Sequence, residues 1–265
     1  MQLDKLVIET RVRSAWSAID LGFRLGRNFW LRSFCLYLII ALPFFCLTLL
    51  FDSGVNSLLP YFIFWWLKPI FERPILHMMS RELFAERMSV ARVLTDFWSW
   101  LKPAFFWVIT WRRLSLYRGM TAPIMLLEQP DSGRYSARAS VLVSKFSSQA
   151  LWLNLVLYHM EAFLAFSVLA LIAIFFPDMA ILLYEGLAEG TRDVFMDAIY
   201  LLIMALVAPF YVAAGFMLYI CRRVELEGWD IEITFRNWMS EFRAPVESGD
   251  PSSSSVDGLV EVDKP

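Results

Sequence analysis

The sequence predicts an all-α integral membrane helical bundle of four transmembrane spans, with amphipathic interfacial helices at its inner surface. Three observations lead there. Of the 265 residues, 58% are hydrophobic and 16% aromatic, an apolar content above that of ordinary soluble domains. The apolar residues gather in runs that suit a hydrocarbon core of about 30 Å, which takes roughly 20 helical residues to cross. Lys and Arg are spread unevenly between those runs, and short loops rich in them stay cytoplasmic. A net charge of −2 supplies no basic field for nucleic acid. Cys35, Cys46 and Cys221 lie in or beside apolar runs with no CxxC pair, so they read as buried thiols and not as a metal or disulfide set.

Taken in order, the first thirty residues are polar and charged, whereas a cleaved signal peptide brings its apolar region earlier. The first span is therefore expected to be the targeting element. Residues 14–30, SAWSAIDLGFRLGRNFW, place Trp16, Ile19, Phe23 and Trp30 on one helical face and pair Asp20 with Arg24. A helix of that kind lies in the membrane interface. Spans follow at 31–51, 58–79, 150–176 and 198–221. Residues 1–33 hold six Lys/Arg and 52–57 hold none, so the N-terminus is expected inside.

Residues 80–149 hold ten Lys/Arg, on both sides of the apolar stretch 93–111, and a crossing there would place six of them outside. That stretch is accordingly read as an interfacial or re-entrant helix within a cytoplasmic loop. Residues 177–197 set Arg192 against Asp178, Glu185, Glu189, Asp193 and Asp197, which suits the outer face. Arg222 and Arg223 then return the chain to the cytoplasm. A second surface helix is expected over 225–242, with Leu226, Trp229 and Ile233 on one side. The membrane domain thus covers 1–243, and the Ser-rich acidic remainder 244–265 reads as a disordered cytoplasmic tail. Arg11, Arg13, Arg24, Arg27, Arg222 and Arg223 are expected to form one basic band against an anionic inner leaflet, each contributing about 1 kcal/mol. The word WLKP occurs at 66–69 and again at 100–103, a coincidence that chance explains in a chain so rich in Trp and Leu.

The candidate chemistry lies in residues 65–81, WWLKPIFERPILHMMSR, where Lys68, Glu72, Arg73 and His77 interrupt an apolar run. Ionisable groups inside a bilayer are functional candidates, so these four could form a catalytic or proton-carrying set. They also admit a structural reading, in which Lys68 pairs with Glu72 four residues on, Arg73 and His77 approach the inner interface, and cations satisfy carbonyls freed by Pro69 and Pro74. In the third span Asn154, Tyr158 and Glu161 share one face, while His159, two residues from Glu161, cannot join it in holding a metal. Arg73 lies fifteen residues into the second span, about 22 Å by helical rise, and Glu161 lies equally far from the outer end of the third. An Arg73–Glu161 ion pair is therefore expected, with His159 nearby. No phosphate loop, HExxH or GxSxG occurs, and no cofactor is implied.

Two stretches carry a resemblance: RSAWSAIDLGFRLGRNFW before the first span and YICRRVELEGWDIEITFR after the last. They are similar to the flanks of prokaryotic multipass proteins, among them the membrane domains attached to some glycerophosphodiester phosphodiesterases. The chain also looks like proteobacterial inner-membrane proteins found beside MoxR-type ATPases and transglutaminase-like envelope proteins. That resemblance implies membrane placement and a helper in envelope maintenance or complex assembly. It brings no catalytic residue, since no soluble phosphodiesterase domain accompanies the matching flanks. The expected function is a scaffold or accessory protein with a membrane or cytoplasmic protein partner. The alternatives are a small transporter or channel component using Glu161, Lys68 and Arg73, and an enzyme that modifies lipid head groups.

Overall fold

The computed structural model describes residues 13–49, 59–189 and 194–228, and all regular structure among them is helical. Helix α1 (Ala15–Asn28) starts where the Ser14 hydroxyl accepts the Ser17 N–H at 3.3 Å, an N-cap contact. Phe29 alone separates it from α2 (Trp30–Leu49). Helix α3 (Leu59–Leu83) continues through both Pro69 and Pro74. A chain of short pieces follows: α4 (Val90–Thr95), α5 (Phe97–Leu101), α6 (Phe105–Ile109), a 3-10 turn over Trp111–Leu114, α7 (Arg118–Pro123), a π turn over Ile124–Glu128, and α8 (Ser132–Val143). Helices α9 (Ser147–Phe175), α10 (Pro177–Glu189) and α11 (Val194–Glu227) complete the described chain.

Among the described residues three helices are long and apolar enough to cross a membrane: α2, α9 and α11. Helix α3 has comparable length, at 25 residues, but carries its charges mid-run. Helix α11 forms the centre. Met204, Ala208, Ala213, Phe216 and Leu218 are fully buried along it, and α1, α2, α3, α7 and α9 pack around it.

Small residues set how closely those helices approach, as they do where packing must replace a hydrophobic drive. A Cβ on Gly22 would stand 2.4 Å from the Ala214 Cα, and one on Gly26 would stand 3.2 Å from the Phe210 Cα. Numbers rise along α1 as they fall along α11, so the two run antiparallel. One residue on from Ala214, a Cβ on Gly215 would stand 2.4 Å from the Gly119 carbonyl oxygen of α7.

Several elements depart from the sequence expectation. The buried face of α1 consists of Ala15, Ala18, Ile19, Gly22 and Gly26, while Trp16 is exposed. Alanine and glycine weigh little in a hydrophobic pattern, so the aromatic face drew the reading away from the face that packs. The stretch 93–111 is no single helix; α4, α5 and α6 divide it, with Ala104 in the left-handed region at φ 50° beside Pro103. Residues 177–197 hold α10 instead of a plain loop. Cys35 and Cys46 are exposed on α2 and only Cys221 is buried. Residues 225–227 belong to α11 and Gly228 follows them at φ 64°, while residues 229–242 of the expected helix, the tail 244–265 and Arg11 lie outside the described residues.

The C-terminal half of α9 stands apart. Its buried residues, Ala150, Leu153, Leu157 and Glu161, all lie in the first half. Beyond them Phe163, Phe166, Ile174 and Phe175 are exposed.

Backbone contact at Gly215 makes a sharp prediction. Gly215→Ala should lower the melting temperature of the detergent-solubilised protein, by an overpacking cost of about 1–3 kcal/mol. Gly133→Ala, where nothing lies within 4 Å of the added carbon, should leave it unchanged or raise it. Scanning fluorimetry of both variants checks the pair.

Candidate functional site

Helix α3 buries Lys68, Glu72, Arg73 and His77, each 5–7% exposed. Lys68, Glu72 and Arg73 each find a partner on a different element, while the buried His77 Nε2 has no hydrogen-bond partner among the described residues. The Lys68 ammonium pairs with the Glu161 carboxylate of α9. Arg118 of α7 donates to Glu72 at 3.3 Å and, through Nε, to the Tyr211 hydroxyl at 3.3 Å. Tyr211 of α11 in turn donates to Asn154 Oδ1 at 3.1 Å. The resulting polar core touches α3, α7, α9 and α11.

Two arginines work on backbone instead of carboxylates. Pro69 has no N–H, so the Trp65 carbonyl four residues before it lacks its helical donor. Arg113 supplies one, donating to the Trp65 carbonyl and, at 3.2 Å, to that of Trp66. Its guanidinium also lies 4.1 Å from the Trp65 ring centroid, in cation–π contact. Arg73 does the converse at the break between α5 and α6, donating to Leu101 O at 3.0 Å and to Pro103 O. The two WLKP words are thus each capped by an arginine that follows the other. Their lysines differ: Lys68 is buried in an ion pair, whereas Lys102 is exposed with its Nζ 5.2 Å from the Trp98 ring centroid.

The expected Arg73–Glu161 pair is not formed, and Lys68 takes its place. The depth estimate treated the outer ends of α3 and α9 as level. Lys68 lies five residues, about 7.5 Å by helical rise, nearer that end than Arg73. The planar fork of arginine suits two carbonyls, and the compact ammonium suits one carboxylate. Nor do Lys68 and Glu72 pair within α3, because each has an interhelical partner. His77 Nε2 lies 3.8 Å from Asp96 at the α4–α5 junction. His159 is exposed with Nδ1 2.8 Å from its own helix's Leu155 carbonyl, and Tyr158 is exposed too, so neither joins the network.

Sequence reasoning missed Arg113, Arg118 and Tyr211. The signal is present in WRRLSLYR at 111–118, basic residues interleaved with aromatics, a pattern that also serves the topological charge bias.

Beside this core lies a cavity of about 310 Å³, bounded by Lys68, Arg113, Arg118, Asn154 and Tyr211, with exposed Leu114, Leu116, Leu155 and Tyr158 at its rim. Among the described residues no group of three or more His, Cys, Asp or Glu is placed to hold a metal ion.

A second network closes the other end of α11. Glu128 accepts from Arg138 at 2.7 and 3.0 Å and from the Tyr219 hydroxyl at 2.7 Å. Arg223 pairs with Glu227 at 2.6 Å, and Arg222 with Glu225 at 2.8 Å. The expected basic band is therefore divided: Arg24 and Arg27 are exposed on α1, while Arg222 and Arg223 are engaged in ion pairs. Burial alone would raise the Glu128 pKa, but the hydrogen bonds from Arg138 and Tyr219 outweigh it and hold the carboxyl below its ordinary value. Glu227 is lowered in the same way, burial opposing and Arg223 and Arg138 prevailing.

No family model matches the chain, and no curated protein or solved structure matches it either.

Two outcomes are expected. Lys68→Leu or Glu161→Leu alone should destabilise the protein in mild detergent by about 3–5 kcal/mol, since each leaves a buried charge unpaired. The double substitution should recover most of that loss, whereas combining Arg73→Leu with Glu161→Leu should recover none. Thermal unfolding of the five proteins reads this directly. Because Glu128 and Glu227 have lowered pKa values when folded, their contribution is complete above the ordinary glutamate pKa of 4.5 and is lost as pH falls through the folded values. A melting-temperature profile from pH 7 down to about pH 3 should therefore fall more steeply for the parent than for Glu128→Gln.

Proposed function

We propose that the chain is a bacterial inner-membrane protein of four spans, α2, α3, α9 and α11, with both termini and residues 80–149 cytoplasmic. It acts as a scaffold or accessory subunit in envelope maintenance or membrane-complex assembly. The supporting observation is the C-terminal half of α9, a long apolar surface with no buried residue beyond Glu161, on a protein whose Lys68 and Glu72 are already ion-paired with Glu161 and Arg118. Apolar patches of this extent mark protein–protein or membrane contact surfaces. The partners of Lys68, Glu72 and Arg73 also support counting α3 as a span, because these three charges would be costly in lipid.

A photoreactive residue in place of Phe166 should give a discrete protein adduct in cells, and one in place of Ser136 on α8 should not. Adducts to lipid alone at Phe166 would remove the scaffold reading. Topology is checked separately: a cysteine at Gly133 should resist an impermeant thiol reagent in intact cells and react after permeabilisation.

The transporter alternative draws on the cavity beside Lys68 and on the broken α5–α6 segment, since interrupted helices line transport sites. Against it, Lys68 and Glu161 satisfy each other, which leaves that pair no charge to offer a substrate. The head-group enzyme alternative has no paired nucleophile and base among the described residues of the cavity.

A further inference from the structure

We propose that the cavity between α3, the Trp111–Leu114 turn with α7, and α9 binds the phosphate group of an anionic amphiphile. The inference is independent of the scaffold reading and concerns a different surface.

The first ground is charge. The cavity lining holds three cationic side chains, Lys68, Arg113 and Arg118, and no carboxylate among the described residues. The polar core behind it contains Lys68, Arg73, Arg113 and Arg118 against Glu72 and Glu161, so four positive charges meet two negative ones. Lys68 is matched by Glu161 and Arg118 by Glu72. Arg73 and Arg113 have carbonyl oxygens for partners, and these supply dipoles but no countercharge. Of those two, Arg113 faces the cavity. A buried excess of positive charge calls for an anion.

The second ground is an unfilled donor. Arg118, whose side chain is nine-tenths buried, uses Nη2 on Glu72 and Nε on Tyr211. Its Nη1 is buried and has no hydrogen-bond partner among the described residues. A buried donor left unmade costs about 1–3 kcal/mol, and more when charged. A phosphate oxygen suits that one remaining N–H group as a charge-assisted acceptor. Ser115 adds a hydroxyl to the same lining.

The third ground is the rim. Leu114, Leu116 and Leu155 are exposed there, so whatever is attached to the bound group leaves across apolar side chains. That favours a phosphate bearing a hydrocarbon chain over free phosphate. The volume of about 310 Å³ suits a head group, with the chain lying outside.

The test uses the full-length protein purified in a neutral detergent. Native mass spectrometry follows incubation with an equal mixture of phosphatidylglycerol and phosphatidylcholine, and a parallel sample receives inorganic phosphate alone. Retention of one phosphatidylglycerol, preferred over phosphatidylcholine, is expected. Arg113→Gln should weaken that retention by about tenfold or more, the loss of a charged hydrogen-bond donor. Since Arg113 also caps the Trp65 carbonyl, Leu155→Trp is the second variant. It narrows the exposed rim without touching the core, and it should cut retention while circular dichroism and gel filtration stay unchanged. Thermal stabilisation by inorganic phosphate, abolished in Arg113→Gln, would support the phosphate site and assign its source to a soluble ligand. Equal retention of the two lipids together with no effect of phosphate would overturn the proposal. So would undiminished phosphatidylglycerol retention in Leu155→Trp with no phosphate effect.

Discussion

Pro69 has no N–H to give, and in apolar surroundings the Trp65 carbonyl four residues earlier cannot turn to water. Much of the architecture follows from that missing donor. Arg113 fills it, which fixes the Trp111–Leu114 turn against α3. With the turn held there, α7 begins four residues after it, and Arg118 at its first position reaches Glu72. Gly119 then meets Gly215 backbone to backbone, so the same short helix that completes the ion network also seats on α11. A single proline thereby organises a segment that has little regular structure of its own.

The broken stretch 90–128 is the counterpart of that constraint. Its helices α4, α5 and α6 have five or six residues each, too short to be stable alone. What holds them is tertiary contact: Arg73 on the α5–α6 break, the Trp100 indole donating to Val93 O at 2.9 Å, and burial of Trp100 and Val93. Scaffold and binding cavity are two faces of this arrangement. The arginines that repair backbone breaks are also the ones left without a countercharge.

The long helices were legible in the sequence because a bilayer-length apolar run is a strong and local signal. α2 and α9 lie within three residues of the expected bounds, and α11 covers its expected span while starting four residues earlier and ending six later. The charged face of α3 was legible as a set but its pairing was not. Lys68 and Glu161 are 93 residues apart, and a five-residue offset between helix ends decides which cation meets the carboxylate. The packing face of α1 was hidden for a different reason: Ala18, Gly22 and Gly26 contribute by their small size, to which a hydrophobic pattern is blind. Arg118 and Tyr211 were invisible as partners because one lies in a segment without periodicity and the other inside a uniformly apolar run.

The separation of Lys68 from Glu161 also bears on how the chain is made. A ribosome adds about 5–20 residues each second, so α3 emerges several seconds before the α9 carboxylate exists. The Arg118 that will meet Glu72 follows 46 residues later. Through that interval α3 carries Lys68, Glu72 and Arg73 with no interhelical partner, and on the proposed four-span reading lipid would penalise each of them. Its prolines and charges suit it to wait at the membrane surface, with the lysine and arginine extended to water. The helix would enter fully once α7 and α9 arrive. On the proposed four-span reading, α2 would be inserted alone, α3 would follow its successors into the bilayer, and the polar core would close last, around the central helix α11.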